Sequence, residues 1–327
     1  MAKVLVTGGA GFIGSRLVRR LVSESHQVKV IDNLVLGREA HLEGVNCEFV
    51  RGDLRNLATV EDVMRGQNVV FHLAANSDIS QGAARSDVDL ENGTVATWNV
   101  LEAMRRCGVR DIVFASTSAV YGEAAVKPTP EGYGPLLPIS FYGASKLACE
   151  ALISAFAHNC GMRGLVFRFA NVVGRPATHG AIYDFTKRLM AEPTKLSVLG
   201  NGTQKKSYLH VEDCVDAMMF GWRSILAQAP AGSAEIFNLA SEGVTQVRDI
   251  AECVVDEVAK ALSAAGRARI EFGEGDRGWV GDVPFTWLDG SKLLALGWRP
   301  AFNSGDAVRR AVREVVEDFV STPRKGG

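Results

Sequence analysis

The segment Thr7-Gly8-Gly9-Ala10-Gly11-Phe12-Ile13-Gly14 constrains the fold more than any other, because of what stands on either side of it. Before it runs Lys3-Val4-Leu5-Val6, a short apolar stretch that reads as a strand; after it a helical pattern continues over 12–24. Glycines at 8, 11 and 14 let the chain turn tightly and bring its backbone against a pyrophosphate. The helix that follows offers free N–H groups and a partial positive charge to that anion. A glycine trio alone would say little, since tight turns need glycine for structural reasons. Strand before and helix after supply the context that a dinucleotide fingerprint demands. The reading is a dinucleotide site built from Gly8, Gly11, Phe12, Ile13 and Gly14.

The rest of the first half keeps the same rhythm. Apolar β-rich runs at 28–32, 47–52, 68–74, 111–116 and 165–169 alternate with helical patterns at 97–107 and 142–159. Several of these strands are apolar on both faces, which indicates a parallel sheet covered on two sides. The expected fold is α/β, a Rossmann-type doubly wound parallel sheet with a smaller C-terminal mixed α/β substrate lobe. Beyond Asn171 prolines and glycines cluster at 174–176 and 200–202, and helices are expected at 213–226, 247–262 and 306–319. Residues 1–174 are read as a dinucleotide-binding domain, with returning segments near 205–247, and 175–327 as mainly the substrate lobe. The tail 321–327 is expected to fray.

Composition excludes several classes. Lys and Arg number 36 against 37 Asp and Glu, a net charge of −1, so no basic surplus points to nucleic acid or a membrane surface. No apolar run approaches the ~20 residues of a membrane helix, and the N-terminus has no secretory pattern. The expected location is cytoplasmic. Cys47, Cys107, Cys149, Cys160, Cys214 and Cys253 form no C-x-x-C pair and read as buried reduced thiols. No His/Cys/Asp cluster has metal-ligand spacing, so no metal is expected. His72 and His210, in apolar strand-like contexts, read as packed histidines, and His179 as a solvated loop residue.

Asp32 ends the second strand. A carboxylate there accepts hydrogen bonds from both adenosine ribose hydroxyls and repels a 2′-phosphate, which favours NAD over NADP. The competing reading is a plain turn residue, since Asp-Asn is common in turns. Asp53 and Leu54, after the third strand, could hold the adenine edge by the same geometry.

Tyr142 and Lys146 are four residues apart, so on a helix they share one face. A phenol with pKa ~10 is a poor base at neutral pH, and a neighbouring ammonium favours its ionised form. A Tyr-x-x-x-Lys pair alone could equally be a solvated helix face. It gains meaning from Ser116-Thr117-Ser118 at the end of the strand 112–115, because ligands of doubly wound sheets bind at the carboxyl ends of strands. Thr117 could then bridge a substrate hydroxyl and the phenolate.

At these residues the chain resembles the extended short-chain dehydrogenase/reductase family, and within it the UDP-glucose 4-epimerase-like sugar-nucleotide enzymes. The resemblance runs through Thr7 to Gly14, Asp32-Asn33, His72-Leu73-Ala74-Ala75, Val120-Tyr121-Gly122 and Tyr142-Gly143-Ala144-Ser145-Lys146. It continues through Arg168 to Gly174, 200–211 and Gly281-Asp282-Val283, the later motifs belonging to sugar-nucleotide members. It implies Tyr142 as base, Lys146 as its partner and nicotinamide-ribose ligand, and Thr117 as the bridging hydroxyl. It adds Asn33, Leu73, Ala74, Ala75 and Ser116 to the NAD contacts, and Asn76, Asn171, Lys206, Arg277 and Thr286 to the substrate contacts. Lys206 stands where many relatives have arginine, and the spacing from Arg277 to Gly281-Asp282 exceeds the common pattern. It also implies a homodimer through the helices at 97–107 and 142–159.

The resemblance further narrows the reaction. Related 4,6-dehydratases carry Asp-Glu after the strand-end threonine, and decarboxylases typically a glutamate at the second of those positions; this chain has Ser118-Ala119. Without those acids the implied reaction is NAD-dependent 4-epimerisation of a nucleotide-linked hexose, UDP-glucose/UDP-galactose in type, through a transient 4-keto sugar. The alternatives are a sugar-nucleotide dehydratase, decarboxylase or net dehydrogenase, and a non-catalytic NAD-binding regulatory protein. Thr286 is small, which leaves room for an N-acetyl group at the sugar's 2-position; an ordinary strand residue is the competing reading.

Overall fold

The computed structural model of the chain describes residues 1–263, 266–279 and 281–321. Strands β1 (Lys3–Thr7), β2 (Gln27–Asp32), β3 (Glu48–Arg51), β4 (Val69–His72), β5 (Asp111–Thr117) and β6 (Arg163–Phe169) open the chain. Between them lie helices α1 (Phe12–Ser23), α2 (Leu57–Met64), α3 (Ile79–Ala84), the single turn α4 (Asp87–Asp89), α5 (Ala96–Cys107) and α6 (Phe141–Cys160). A π turn, Leu90–Val95, joins α4 to α5. The second half adds β7 (Asn171–Val173), α7 (Ala181–Ala191), β8 (Lys195–Val198), β9 (Lys205–Lys206), β10 (Tyr208–His210) and α8 (Val211–Phe220). It ends with β11 (Ala234–Leu239), β12 (Thr245–Gln246), α9 (Val247–Ala261), β13 (Arg269–Phe272), β14 (Phe285–Thr286), α10 (Ser291–Ala295) and α11 (Ser304–Ser321).

Seven strands form one parallel sheet in the order β11-β6-β5-β4-β1-β2-β3. The order reverses between β1 and β4, which opens a crevice at their carboxyl ends. One face of the sheet packs under α1 and α8 through Leu17, Leu21, Phe71, Phe167, Cys214 and Met218. The other packs under α2, α5 and α6 through Val60, Met104, Ile112, Phe114, Cys149 and Ile153. Burial on both faces is why these strands read as continuous apolar runs rather than alternating ones.

A third core joins α7, α9 and α11, with Phe185, Leu189, Val254 and Val312 among its members. Around it stand the small sheets β13-β8 and β12-β9-β14 and the pair β10-β7. The helix expected at 213–226 starts at Val211 and gives way after Phe220 to a π turn, Gly221–Ile225, and a short 3-10 turn. Gly221 lies so close to Leu165 and Phe167 that a Cβ would sit 2.7 and 2.6 Å from them, and the helix changes pitch at that contact. Of the six cysteines only Cys149 and Cys214 are buried; Cys47, Cys107, Cys160 and Cys253 are half-buried, and all six are free. Of the tail, Ser321 closes α11 and 322–327 lies outside the described residues.

His72, at the end of β4, ties the two halves of the crevice. Its Nδ1 lies 2.6 Å from Thr7 Oγ1 and its Nε2 2.9 Å from Thr97 Oγ1 on α5. Complete burial, then the nearby Lys146 charge, lowers its pKa to about 3, so the ring stays neutral with both nitrogens hydrogen-bonded. Unfolding releases a histidine that protonates near 6.5, so the unfolded chain binds the extra proton. Stability therefore falls with pH from about 6.5 downward, by up to ~1.4 kcal/mol per unit from this one residue. Glu102 and Glu314, both lowered to about 2, add to the loss only below the usual glutamate range. Urea unfolding of His72→Gln at a series of pH values is expected to show a flatter slope than the parent between about pH 6 and 4.5.

Candidate active site

The turn between β1 and α1 is built from close backbone contacts. Gly8 has φ +69°, and a Cβ on it would lie 2.8 Å from the Ala74 backbone. A Cβ on Gly14 would lie 2.2 Å from the Gly8 carbonyl oxygen, so only glycine lets α1 start this near the turn. Gly11 is the N-cap and brings no side-chain cap, so the first N–H groups of α1 stay open to an anion. Phe12 and Ile13 are half-buried beside it.

Asp32 is buried at the end of β2, aimed at this turn. Its Oδ2 accepts from Ala10 N at 3.0 Å and its Oδ1 from Leu34 N at 2.8 Å. Asn33 Oδ1 accepts from Val35 N and is spent on that turn. Leu73, Ala74 and Ala75 line the other side of the crevice after β4, with Ala74 N donating to Thr7 Oγ1. Asp53 is engaged by Arg55, whose hydrogen bonds lower its pKa, and Arg55 reaches on to Glu91. Leu54 is buried in the core on the α2 side. An open depression lined by Asp53, Arg55, Asn56, Leu57 and Ala58 follows the end of β3, and neither Asp32 nor Tyr142 lines it. Glycine cradle, uncapped helix start and buried carboxylate suit the pyrophosphate and ribose of NAD.

At the β5 end, Thr117, Tyr142 and Lys146 come together. Ser140 caps α6, accepting from Gly143 N at 3.1 Å, so Tyr142 stands in the first turn of the helix and Lys146 one turn further on. Lys146 is buried, donates to Ala115 O at 2.7 Å, and lies 4.7 Å from the Phe114 ring centre and 5.8 Å from that of Tyr142. Burial lowers its pKa to about 8, against the raising effect of Cys149, Glu150 and Asp89. Burial pushes the Tyr142 phenol well up, with the Asp89 charge adding to it, while its hydrogen bond with Thr117 pulls it down. Thr117 Oγ1 also accepts from Ala119 N at 3.1 Å.

Ser116 is buried, and its hydroxyl donates to Glu150 Oε1 at 2.5 Å, turned toward α6 rather than into the crevice. Asn76 is buried and donates to Asp78 O and to Asp89 Oδ1. Asp89, which no motif in the sequence marks, is a buried carboxyl whose Oδ2 has no hydrogen-bond partner among the described residues. In the structure it stands just before the π turn, and such turns cluster at functional sites.

The remaining residues gather on the facing lobe. Asn171 pairs with Tyr208 and donates its N–H to Ser207 O. Lys206 Nζ lies 2.5 Å from Asp282 Oδ1 and 5.2 Å from the Trp279 ring centre. Arg277 donates to Asp282 O at 2.9 Å and pairs with Glu123. Thr286 is half-buried and opposite Lys206 in the β14–β9 pair. Gly281, next to Asp282, packs on the segment that leads into α6, where a Cβ on it would be 3.3 Å from Ile139 O. His210 is buried against Glu314, and His179 is exposed beside Thr178. Among the described residues no cluster of three or more His, Cys, Asp or Glu is arranged to hold a metal.

Comparison with known proteins agrees with this layout. The family model described as "NAD dependent epimerase/dehydratase family" matches residues 4–240. A UDP-glucose 4-epimerase of Streptomyces lividans is 32% identical over 268 residues, 77% of this chain and 80% of that protein. A crystal structure of a UDP-galactose 4-epimerase superposes with a TM-score of 0.86 at 38% identity, over 97% of this chain and 99% of that one. A UDP-glucose 4-epimerase of Thermus thermophilus complexed with NAD gives a TM-score of 0.82 at 29% identity, over 96% and 98%. The glycine turn, the order of the sheet and the family match agree, and the chain belongs to the NAD dependent epimerase/dehydratase family.

Proposed function

We propose that this chain is an NAD-dependent 4-epimerase of a nucleotide-linked hexose, a UDP-hexose of the glucose/galactose type. The observation that carries the reading is the cluster of Thr117, Tyr142 and Lys146 at the β5 end, followed by Ser118-Ala119 instead of an acid pair. Such a site abstracts and returns a proton at one hydroxyl and offers no acid at 118 or 119 for elimination or loss of a carboxyl group.

Residues 1–174, with segments near 205–247, form the cofactor domain in this reading, and 175–327 mainly the substrate lobe. Gly8, Gly11, Phe12, Ile13, Gly14, Asp32, Asn33, Asp53, Leu73, Ala74 and Ala75 surround NAD, with Tyr142 and Lys146 at its nicotinamide end; Leu54 and Ser116, whose side chains turn into the core and toward α6, border it through their backbones only. When bound, NAD supplies the hydride acceptor for C4 and then the hydride donor. Tyr142, as phenolate, takes the proton of the 4-hydroxyl and later returns it, with Thr117 bridging the two oxygens. The Lys146 ammonium favours that phenolate. Arg277, Lys206 and Asn171 hold the diphosphate region while the 4-keto sugar turns over, and Asn76 and Thr286 border the sugar. A small Thr286 admits a 2-acetamido group; strict exclusion of N-acetyl substrates in kinetics would rule that out.

The protein works in the cytoplasm as a homodimer through α5 and α6, away from membranes and nucleic acid. Leu90, Val95 and Trp98, exposed near the start of α5, support that surface, and no described helix is long and apolar enough to cross a membrane. Sedimentation should find a dimer, and Trp98→Lys should shift it toward monomer.

The purified chain, without added cofactor, is expected to interconvert UDP-glucose and UDP-galactose to one equilibrium from either side, read by proton NMR, with no net NADH. A keto product, carbon dioxide or stoichiometric NADH would assign the chain to another reaction. Tyr142→Phe should lose turnover by ~10²–10⁴-fold while retaining NAD; a merely regulatory NAD-binding protein would be indifferent to it. Because Lys146 titrates at about 8, kcat/KM should fall above that pH as the ammonium is lost. Lys146→Arg, charged throughout, should lack that basic limb at a lower overall rate.

A further inference from the structure

We propose that Glu150 is a positioning residue for the reaction: it fixes the register of helix α6 on the end of strand β5, and with it the spacing of Tyr142 and Lys146 from Thr117. The inference rests on the epimerase reading for what the spacing is used for, and on geometry alone for the register.

Tyr142, Lys146 and Glu150 stand at successive i, i+4 positions of α6, so they share one face. That face meets three consecutive residues of β5. Lys146 donates to the Ala115 carbonyl, Ser116 Oγ donates to Glu150 Oε1, and the Tyr142 phenol stands near the Thr117 hydroxyl, which pulls its pKa down. Shifting the helix by one turn would break all three contacts together.

Of the three, the Glu150 contact is the one anchored elsewhere. Arg168 of β6 lies directly opposite Ser116 in the β5–β6 pairing. Its Nη2 donates to Glu150 Oε2 at 2.7 Å and its Nε approaches both carboxylate oxygens at 3.1 and 3.2 Å. The two charged side chains are only 3% and 4% exposed. The guanidinium in turn lies 4.7 Å from the Tyr121 ring centre and donates to Glu131 O. Tyr121 belongs to the 3-10 turn that follows Thr117, and its hydroxyl donates to Asn238 on β11. Strand, turn and helix are thus gripped by one carboxylate.

Stability alone is a poor reason for such a pair, since a buried ion pair can often be replaced by apolar side chains with no loss. What apolar packing does not reproduce is the direction and length set by a two-pronged Arg–carboxylate contact and a short hydroxyl bond. Those are the properties that a site sensitive to ~1 Å needs.

The test compares the wild type with Ser116→Ala, Glu150→Gln and the double variant Glu150→Met/Arg168→Met, all as isolated with their NAD. Steady-state kcat and KM, bound NAD, thermal midpoint and the ultraviolet titration of the Tyr142 phenol (by difference from Tyr142→Phe) are measured on each. Ser116→Ala should lower kcat ~10-fold with KM within about twofold, full NAD content and a nearly unchanged midpoint. The double variant should fold and hold NAD yet turn over ~100-fold more slowly, with its phenol titrating higher. If Glu150→Gln fails to fold, the other two variants decide the matter. Wild-type kcat and an unshifted phenol in both would overturn the proposal and leave the pair purely structural. A wild type that epimerises nothing would instead sink the functional reading, and the phenol titration would then judge the register by itself.

Discussion

The approach of Gly14 to the Gly8 carbonyl is the contact on which the rest of the site depends. At the 2.2 Å that a Cβ would find there, no other residue type fits without moving α1. Holding α1 that close fixes where its open N–H groups point and brings Ala10 N onto Asp32, so cradle and buried carboxylate are set by one backbone contact. Gly8 then packs on the backbone of Ala74, which passes the constraint from β1 to the loop after β4. Thr7, His72 and Thr97 carry it one layer further, onto α5, where Cys149 of α6 also meets Thr97.

This connected backbone and polar line explains why the site tolerates so much burial. Lys146 is buried and Tyr142 half-buried, and in the free chain burial opposes the ionisation of both. A positive group close by would lower the phenol, and in the proposed reaction the nicotinamide ring provides one. The protein therefore prepares a pair that is incomplete without its cofactor. Asp89 works in the other direction, its charge raising the phenol, so its own burial, which disfavours ionisation, limits how strongly it does so.

Much of this was legible in the sequence, for physical reasons that differ by element. Strands β1 to β6 and helices α1, α5 and α6 announce themselves because a sheet buried on both faces needs unbroken apolar runs and its helices need amphipathic ones. The glycine turn and the Tyr142–Lys146 face are local spacings, readable without tertiary knowledge. Helix α7 is not legible in the same way, because proline and glycine on either side mask its short apolar stripe, whose partners lie in α9 and α11. Glu150 and Asp89 were invisible for a deeper reason. Their importance comes from Arg168, Ser116 and Asn76, which the fold, not the chain order, places beside them. The same holds for Glu123 and Asp282, which share the cations read as diphosphate ligands.

Those pairings divide the site into a part that must not move and a part that must. Glu150 and Arg168 are closed off from water, so separating them leaves an uncompensated buried charge, and the reacting groups are held by a contact that is costly to break. Arg277 and Glu123 are 41% and 50% exposed, where an ion pair contributes little and a diphosphate can displace the carboxylate at small cost. Lys206 and Asp282 lie between these extremes, nearly buried under Trp279. In the proposed reaction, a sugar that has to turn over between two half-reactions needs both properties together, a fixed base on one wall and an anchor that re-pairs when product leaves. The gradient of burial from Glu150 outward to Glu123 supplies them from a single fold.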